Sequence, residues 1–399
     1  MRDDDTDVLP PPLMTSEPGS FARKTIVERK PQIIRRVIDD HDYPPEIVEA
    51  LERFREEIAR KMVQPLQEIK GDAAFWNEHQ AKYKGRTWLQ LPWFFAETYF
   101  YRKLLEATRY FQPGPRYHDD PFAPQKREQE ANAVRELTAG WQEIAQVAPD
   151  RRFAPLLHAC LWGNRADLSN FTVRERAIGD TTVDRVNILI DDTDQVRDLL
   201  SGGVDQVAFI NDNVGADSLF DLVLADYLLD QGWARQVVFH LKNQPFFVSD
   251  AMPQDIRHMI MRVQTSEERR VATLGDRLNT AVRKNDLVLT TAPYWSRCLS
   301  FHEMPGTTRA QLARADLVII KGDVNYRRLL DDRHWPHETP LEAITGYFPA
   351  PFLVLRTLKG ELVVGLEAGE AEELAAEDPD WLINGKRGLV QLVGTKRQD

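Results

Sequence analysis

The sequence is poor in the features that mark secreted, membrane-spanning and nucleic-acid-binding proteins. Its 399 residues include two cysteines, Cys160 and Cys298, so no disulfide framework is implied and we expect a reducing compartment. No apolar run approaches the ~18 residues of a membrane span, and the acidic, proline-rich start does not resemble a signal peptide. The net charge of −11 argues against non-specific nucleic-acid binding. We therefore predict a cytoplasmic protein with no membrane partner and no nucleic-acid partner.

The first part of the chain predicts a short tail followed by helices. Residues 1–20 carry runs of aspartate and proline without apolar periodicity, which predicts a disordered tail. Residues 21–165 are expected to form a helical N-terminal domain, because apolar residues recur there every three or four positions. The predicted helices begin at Pro44-Pro45 and span 92–110, 124–147 and 153–162.

The pattern changes between residues 166 and 399, where short apolar runs alternate with helical or loop segments. Near-continuous apolar strands are typical of a sheet that helices cover on both faces. We therefore predict an α/β fold, with an open, mostly parallel, three-layer αβα sheet domain on which the helical domain packs. The predicted strands lie at 186–190, 207–210, 237–239, 287–289, 317–320 and 352–355.

The stretch from Val207 to Asp217 predicts a ligand site at the end of a strand. Its apolar run stops at Asp212-Asn213, Gly215 follows as a turn residue, and a helix is expected from residue 218 to residue 230. Open α/β sheets bind ligands just beyond the carboxyl ends of their strands. A carboxylate beside a carboxamide supplies two hard oxygen ligands for a divalent cation. Taken alone, the pair is equally typical of an Asx turn that caps a helix.

Charged and amide side chains also follow other predicted strands. They occur in Lys242 with Ser249-Asp250, in the segment Lys321 to Arg327, and in Arg356 to Lys359. Because the carboxyl ends of parallel strands share one edge, these groups should converge on one cleft. Carboxylates there could hold a cation that polarises phosphoryl oxygens, while Lys and Arg neutralise the remaining charge. Each residue alone is more typical of a turn or a solvated strand end, but their coincidence favours metal-dependent phosphoryl chemistry.

Two other motifs suggest rival functions. Asp192, within Ile190 to Val196, loosely matches the D-x-D-x-[TV] signature of haloacid-dehalogenase-type phosphatases, in which it would be the nucleophile. The later acidic pair of that signature is poorly spaced here, because Arg327 and Arg328 stand after Gly322-Asp323. We therefore expect Asp192 to be a loop residue. A nucleotide- or methyl-donor-binding fold would also suit the α/β pattern, but no G-x-G-x-x-G follows any predicted strand.

The strand-end motifs, taken together, resemble those of the damage-control phosphatases, some of which carry the name of acidic-residue or protein-glutamate O-methyltransferases. The resemblance covers about residues 21 to 370 and includes two N-terminal landmarks, 93–102 and 161–169. The Arg356-Thr357-x-Lys359 signature is similar to that of the subgroup linked to sugar-phosphate hydrolysis. The matching strand-end motifs are Asp212-Asn213-x-Gly215, Ser249-Asp250, Lys321-Gly322-Asp323-x-Asn325-Tyr326-Arg327 and Arg356-Thr357-x-Lys359.

This resemblance implies a divalent metal cofactor, which would be manganese, nickel, cobalt or magnesium. The implied metal ligands, which are also the implied catalytic residues, are Asp212, Asn213 and Asp250. Asp217 departs from the family pattern, in which a glutamate is usual at this position, so its shorter side chain could alter sugar preference. The implied substrate contacts are Asp217, Asp323, Val324, Asn325, Tyr326, Arg327 and Lys359.

The expected function is hydrolysis of small phosphorylated metabolites, above all hexose phosphates such as fructose 1-phosphate or fructose 6-phosphate. Two alternatives remain open from the sequence. One is a protein carboxyl (glutamate) methyltransferase that uses S-adenosylmethionine, and the other is a non-catalytic protein that binds phosphometabolites. Phosphate release that depends on added metal separates the first function from both alternatives.

Overall fold

The structure is a computed structural model that describes residues 9–163 and 187–394 of the chain. Short helices and the π-helical turn Thr25–Arg29 precede a run of longer helices, after which strands and helices alternate. The strands are β1 (Ile188–Asp191), β2 (Val204–Ile210), β3 (Ala234–Leu241), β4 (Leu287–Thr291), β5 (Leu317–Lys321), β6 (Phe352–Thr357) and β7 (Gly388–Val393). The helices are α1 (Phe21–Lys24), α2 (Lys30–Asp39), α3 (Pro45–Arg60), α4 (Ala73–Ala81), α5 (Trp93–Ala107), α6 (Ala123–Gln146), α7 (Phe153–Trp162), α8 (Thr193–Ser201), α9 (Ala216–Asp230), α10 (Pro253–Gln264), α11 (Arg269–Lys284), α12 (Gly306–Leu312), α13 (Gly322–Leu329), α14 (Leu341–Thr345) and α15 (Glu370–Glu377).

The strands form one seven-stranded sheet in the order β1-β7-β6-β5-β2-β3-β4. All neighbouring strands in it are parallel except β6 and β7, which pair antiparallel. The predicted mixed α/β fold with a mostly parallel sheet is confirmed. The sequence prediction missed β7, which lies between β1 and β6 and joins them into the sheet.

Both faces of the sheet are covered by apolar side chains. On β2, Val207 and Phe209 belong to the core under α6, α7, α9, α10 and α11, whereas Ala208 and Ile210 belong to the core on the opposite face. Alternate residues of a strand point to opposite faces, so a strand covered on both sides must be apolar at every position. This alternation explains the uninterrupted apolar runs in the sequence.

The helical N-terminal part has its own core, but its last helices pack in the core on one face of the sheet. Leu51, Trp88 and Phe100 pack together in the N-terminal core, whereas Leu157 and Cys160 of α7 pack in the same cluster as Val207. The predicted domain boundary at 165/166 lies outside the described residues. No helix in the described part of the chain has the length and apolarity needed to cross a bilayer.

The prediction of a disordered tail over residues 1–20 is wrong for residues 9–20. Leu13 is buried, its amide donates to the carbonyl of Asp332 (2.9 Å), and its carbonyl accepts from the amide of Trp93 (2.8 Å). The Thr15 hydroxyl donates to the carbonyl of Trp88 (2.8 Å). The prolines suit this extended path, because the segment forms only isolated bridges with its neighbours and leaves most of its amides without ladder partners.

Candidate active site

A pocket of about 290 Å³ opens at the carboxyl ends of the central strands. β2 and β5 are neighbours there, although β3 and β4 come between them in the chain. This is the point at which the strand order reverses, and open α/β sheets bind their ligands in the crevice at such a point. The predicted site residues that line the pocket are Asp212, Asn213, Asp217, Asp250, Asp323, Val324 and Lys359.

Two loops bring the three predicted metal ligands together. The loop after β2 pairs with the loop before α10 through an antiparallel bridge between Asn213 and Asp250. The amide of Val214 donates to the carbonyl of Ser249 (2.7 Å), and the amide of Ala251 donates to the carbonyl of Asp212 (2.9 Å). Backbone pairing therefore fixes the positions of the side chains on both loops.

A chain of hydrogen bonds joins the polar groups on the pocket floor. The Asn213 amide nitrogen donates to Asp212 Oδ2 (2.7 Å) and to Asp217 Oδ2 (3.2 Å). The Ser249 hydroxyl donates to Asn213 Oδ1 (2.6 Å). In this arrangement the amide nitrogen, and not the oxygen, faces the carboxylates. A cation beside Asp212 would be met by Asn213 Oδ1 once the amide turned over, with Ser249 then accepting its hydrogen bond.

The electrostatics of the floor fit a divalent cation. Burial raises the pKa of the Asp212 carboxyl well above its ordinary value, and Asp250 and Asp217 raise it further. Burial also raises the pKa of Asp250, although Lys242 Nζ lies 3.3 Å from Asp250 Oδ2 and opposes the shift. Carboxylates that resist ionising together are stabilised by a cation between them. Hard oxygen donors of this kind suit manganese and magnesium, and the amide oxygen completes the set.

The three residues of the Arg356-Thr357-x-Lys359 signature have different structural roles. Arg356 is buried, and its Nη2 lies 2.7 Å from Asp323 Oδ1. The Thr357 hydroxyl donates to the carbonyl of Leu161 (2.9 Å), which ties β6 to the end of α7. Lys359 is exposed and lines the pocket. Of this signature, therefore, the lysine is the cation that can meet an anionic substrate.

The other lysines predicted at strand ends are already engaged. Lys242 is buried with Asp250, as described above. Lys321 Nζ lies 2.7 Å from Asp221 Oδ1 and also donates to the carbonyl of Cys160. Burial lowers the pKa of Lys321, but Asp221 more than offsets this and raises it above the ordinary value. Lys321 therefore neutralises a carboxylate beneath the pocket.

That Asn325, Tyr326 and Arg327 contact the substrate stays a prediction, and the structure places these three residues in the interior. All three are fully buried and none lines the pocket. Arg327 lies 2.8 Å from Asp323 Oδ2 and 2.6 Å from Asp332 Oδ1, because the four-residue spacing on α13 places Asp323 one turn away. Asn325 donates to the carbonyl of Lys321 (2.8 Å), and the Tyr326 hydroxyl accepts from the amide of Val364 (3.0 Å).

Arg327 and Arg356 act on the site through Asp323. Burial would raise the pKa of Asp323, but the two guanidinium groups more than offset it and lower the pKa to about 2. Asp323 is therefore held as an anion and fixed at both oxygens (2.8 Å to Arg327 Nε, 2.9 Å to Arg356 Nε). It presents a rigid, charged wall at the first turn of α13.

Gly322, which begins α13, leaves room for the Asp212 carboxylate. Its φ is +82°, and a Cβ at this position would overlap the Asp212 carboxylate. Gly163 has the same relation to Asp217, with a φ of +50° and no space for a Cβ. Both backbone conformations are unfavourable for residues with a side chain. The two glycines therefore let the backbone approach the carboxylates closely.

Sequence reasoning missed the pocket walls that the N-terminal helices supply. Arg29, on the π-helical turn, is exposed and lines the pocket. Glu97 of α5, Gln129 of α6 and Trp162 of α7 also line it. Each is far from the strand ends in sequence, and a π-turn has no sequence signature that we could use. π-turns are often found at functional sites.

Two further predictions concern residues near the edge of the sheet. Asp192 lies in the loop before α8, where its Oδ2 accepts from the amide of Leu392 (2.8 Å), so the predicted loop position is confirmed. It does not line the pocket. Of the landmark at 161–169, residues 164–169 lie outside the described residues.

Comparisons with known proteins place this architecture in a family. The family model described as "Damage-control phosphatase ARMT1-like domain" matches residues 25–374. The damage-control phosphatase ARMT1 of Danio rerio is 31% identical, and the alignment covers 98% of this chain and 99% of that protein. The corresponding Xenopus laevis protein is 33% identical (95% and 98% covered), and the Homo sapiens protein is 30% identical (97% and 99% covered).

A solved structure shares the fold. The crystal structure of a DUF89-family protein from Pyrococcus horikoshii superimposes with a TM-score of 0.51 at 13% identity, covering 93% of this chain and 96% of that one. At this identity the likeness shows the fold alone, and the family assignment comes from the sequence matches. The chain therefore belongs to the ARMT1-like damage-control phosphatase family.

Proposed function

We propose that this protein is a metal-dependent phosphatase of small phosphorylated metabolites, chiefly hexose phosphates such as fructose 1-phosphate and fructose 6-phosphate. The observation that carries the proposal is the meeting of Asp212, Asn213 and Asp250 on the floor of one pocket, with Lys359 on its wall. Family membership supports the reaction type, and the Arg-Thr-x-Lys signature supports the sugar-phosphate subgroup. A pocket of about 290 Å³ is at the small end of small-molecule sites, which suits a metabolite.

Asp212, Asn213 and Asp250 would hold the cation, which is manganese, nickel, cobalt or magnesium. When bound, a divalent ion supplies Lewis-acid polarisation of the phosphoryl oxygens. Asp217 receives a hydrogen bond from Asn213 in the metal-free arrangement, and this bond would be given up when the amide turned over to present Oδ1 to the cation. The buried Lys242 neutralises part of the charge on Asp250, so the floor is less anionic than its carboxylates suggest.

Lys359 and Arg29 would neutralise the charge of the phosphate. Both are exposed and line the pocket, so neither has to leave a buried partner to reach the substrate. Preorganised cations of this kind contribute most as charge redistributes in the transition state. Asp323, held as an anion by Arg327 and Arg356, would repel a misplaced phosphate and accept a hydrogen bond from a hydroxyl.

The test is phosphate release from a panel of sugar phosphates by protein that has been stripped of metal and then given Mn²⁺, Ni²⁺, Co²⁺ or Mg²⁺. We expect release only with added metal, and none from Asp212→Asn. Asp205→Asn is the matched control, because Asp205 is exposed at the other end of β2, where it pairs with Arg235. Release without metal, or no release from any ester with any metal, would refute the proposal. Methyl transfer from S-adenosylmethionine without phosphate release would instead support the carboxyl methyltransferase.

A further inference from the structure

Besides Asp250 Oδ2 on the floor, two buried polar atoms in the pocket wall have no hydrogen-bond partner in the described part of the chain. They are Oε2 of Glu97 on α5 and Nε1 of Trp162 at the end of α7. The two side chains line the pocket and are only 1% and 7% exposed, respectively. Buried polar groups in folded proteins are nearly always paired, so an unpaired acceptor and an unpaired donor in one pocket need an explanation. A bound ligand that pairs with both atoms provides one.

Glu97 is held in place by its other oxygen. Lys30 Nζ donates to Glu97 Oε1, and the buried ammonium lies over the rings of Phe100 (4.6 Å) and Tyr101 (4.4 Å). This anchoring fixes the position of Oε2, which can still accept a hydrogen bond because Lys30 pairs with Oε1. A hydrogen bond to a charged acceptor is about twice as strong as a neutral one. A substrate donor at this position would therefore be bound selectively.

Trp162 is also fixed in orientation. The far end of its six-membered ring packs against β7 at Gly388, where an added Cβ would lie 3.2 Å from Cη2. The ring therefore lies close to the backbone of β7, and the indole N–H is buried. Because an indole N–H can only donate, its partner must be an acceptor.

The charges of the pocket indicate which ligand group would meet these atoms. A second phosphate or a carboxylate would be repelled by the Glu97 carboxylate, and an ammonium group has no acceptor to offer Trp162. A hydroxyl group both donates and accepts, so neighbouring hydroxyls satisfy both atoms. Trp162 and Trp93, which also lines the pocket, add apolar surface for the C–H groups between hydroxyls.

We propose that Glu97 and Trp162 recognise hydroxyl groups on the leaving-group part of the phosphate ester. This inference rests on the proposed phosphatase function and adds the residues that select a polyhydroxylated substrate. The phosphate end is then bound by the floor and Lys359, and the polyol end by the α5 and α7 wall. A site built to hydrogen-bond a hydroxyl discriminates strongly against an ester without one.

The experiment compares fructose 1-phosphate with 4-nitrophenyl phosphate, whose leaving group carries no hydroxyl of this kind. Trp162→Phe keeps the aromatic ring and removes the N–H, and Glu97→Gln keeps the shape and removes the charge. We expect each variant to lower the ratio of kcat/KM for the sugar ester to kcat/KM for the nitrophenyl ester by about tenfold or more. General damage to the fold would lower both values together and leave the ratio unchanged.

Matched controls lie elsewhere in the chain. Trp295 is also buried with an unpartnered Nε1, but it does not line the pocket. Glu57 is a buried carboxylate 3.0 Å from Lys103 Nζ, which resembles the Glu97–Lys30 pair away from the site. Trp295→Phe and Glu57→Gln should leave the ratio within about twofold of the value for the parent protein. Substitutions outside the pocket act through the stability of the fold and should therefore affect both esters alike.

A ratio that stays within twofold in folded Trp162→Phe would overturn the inference and leave the phosphatase intact. If Glu97→Gln does not fold, Trp162→Phe alone decides. If the parent releases no phosphate from either ester, the proposed function has failed, and calorimetric binding of fructose 1-phosphate decides the inference. Binding that weakens tenfold or more in Trp162→Phe supports it, and unchanged or absent binding overturns it.

Discussion

Replacing Asp212 by asparagine should stabilise the metal-free protein while it abolishes metal-dependent turnover. Burial and the neighbouring carboxylates raise the pKa of Asp212, so the folded state resists the ionised form. The resulting cost is absent below the pKa of the unfolded chain, grows as the pH rises towards the folded pKa, and is fully present above it. Asparagine has the same shape without the charge, and its oxygen can still accept from Asn213.

The size of the effect follows from general values. Removing a buried, poorly compensated charge should raise the free energy of unfolding by about 2 kcal/mol. For 399 residues, an unfolding entropy of ~2.1 cal/mol/K per residue gives ~0.8 kcal/mol/K in total. The expected rise in Tm is therefore about 2–3 °C. A cation at ~100 times its Kd would stabilise the parent by about 2.7 kcal/mol, a further ~3 °C, and would not stabilise the variant.

The assay is thermal unfolding at pH 8, with chelator and then with saturating Mn²⁺. With chelator, Asp212→Asn should melt above the parent, and with Mn²⁺ the order should be reversed or the gap closed. Asp205→Asn, on the same strand, should follow the parent in both conditions. A variant that melts below the parent in chelator would refute the argument that the buried charge of Asp212 destabilises the folded state. A variant that gains as much from Mn²⁺ as the parent would refute its role as a ligand.

Four other substitutions test separate parts of the site. Lys359→Met should lower kcat/KM for the best sugar phosphate, measured by steady-state kinetics at saturating metal. The expected decrease corresponds to a loss of about 2–4 kcal/mol of transition-state stabilisation. Arg327→Lys should lower the free energy of unfolding by about 2 kcal/mol in denaturant titrations, because one ammonium cannot serve two buried carboxylates. Burial is the main cause that raises the pKa of Glu130 from 4.5 to about 7. The parent protein therefore loses stability as the pH rises through that range. Glu130→Gln should have a free energy of unfolding about 1–2 kcal/mol above that of the parent at pH 8 and equal to it near pH 4. Asp192→Asn should keep phosphate release within about twofold, and complete loss with intact metal binding would revive its role as a nucleophile.

The fold was largely predictable because a strand buried on both faces of a sheet is apolar at every position, and this pattern is visible in the sequence. Val207 to Ile210 and Leu317 to Ile320 are apolar at every position, and no amphipathic helix produces that pattern. β7 was missed because its apolar run is short and contains Gln391, whose buried amide lies 3.5 Å from the carbonyl of Val364. The segment containing Leu13 was misjudged because its prolines also suit an extended chain held by tertiary contacts.

The site was predictable only where residue type and strand position act together. Asp212 follows β2 closely and Asp250 lies in the loop between β3 and α10, so the sheet and its loops bring them to one edge. Arg327 has the right residue type, but the side of α13 that faces the pocket depends on packing, and Asp323 and Asp332 hold the guanidinium in the interior. Glu97 and Trp162 lie in the N-terminal landmarks 93–102 and 161–169, but their place in the pocket depends on contacts between distant segments, so no local pattern assigned them a role in the site.

The position of β7 has a consequence for how the chain can fold as it is synthesised. Among the strands in residues 9–163 and 187–394, β1 is made first, yet it pairs there only with β7, which is about 200 residues later in the chain. The central strands β2 to β6 can pair while β1 still lacks its partner. We therefore expect the sheet to be completed from the middle outwards, with its β1 edge closed last. A chain that stops short of Gly388 would expose the edge of β6, where an unpaired strand from another molecule can add.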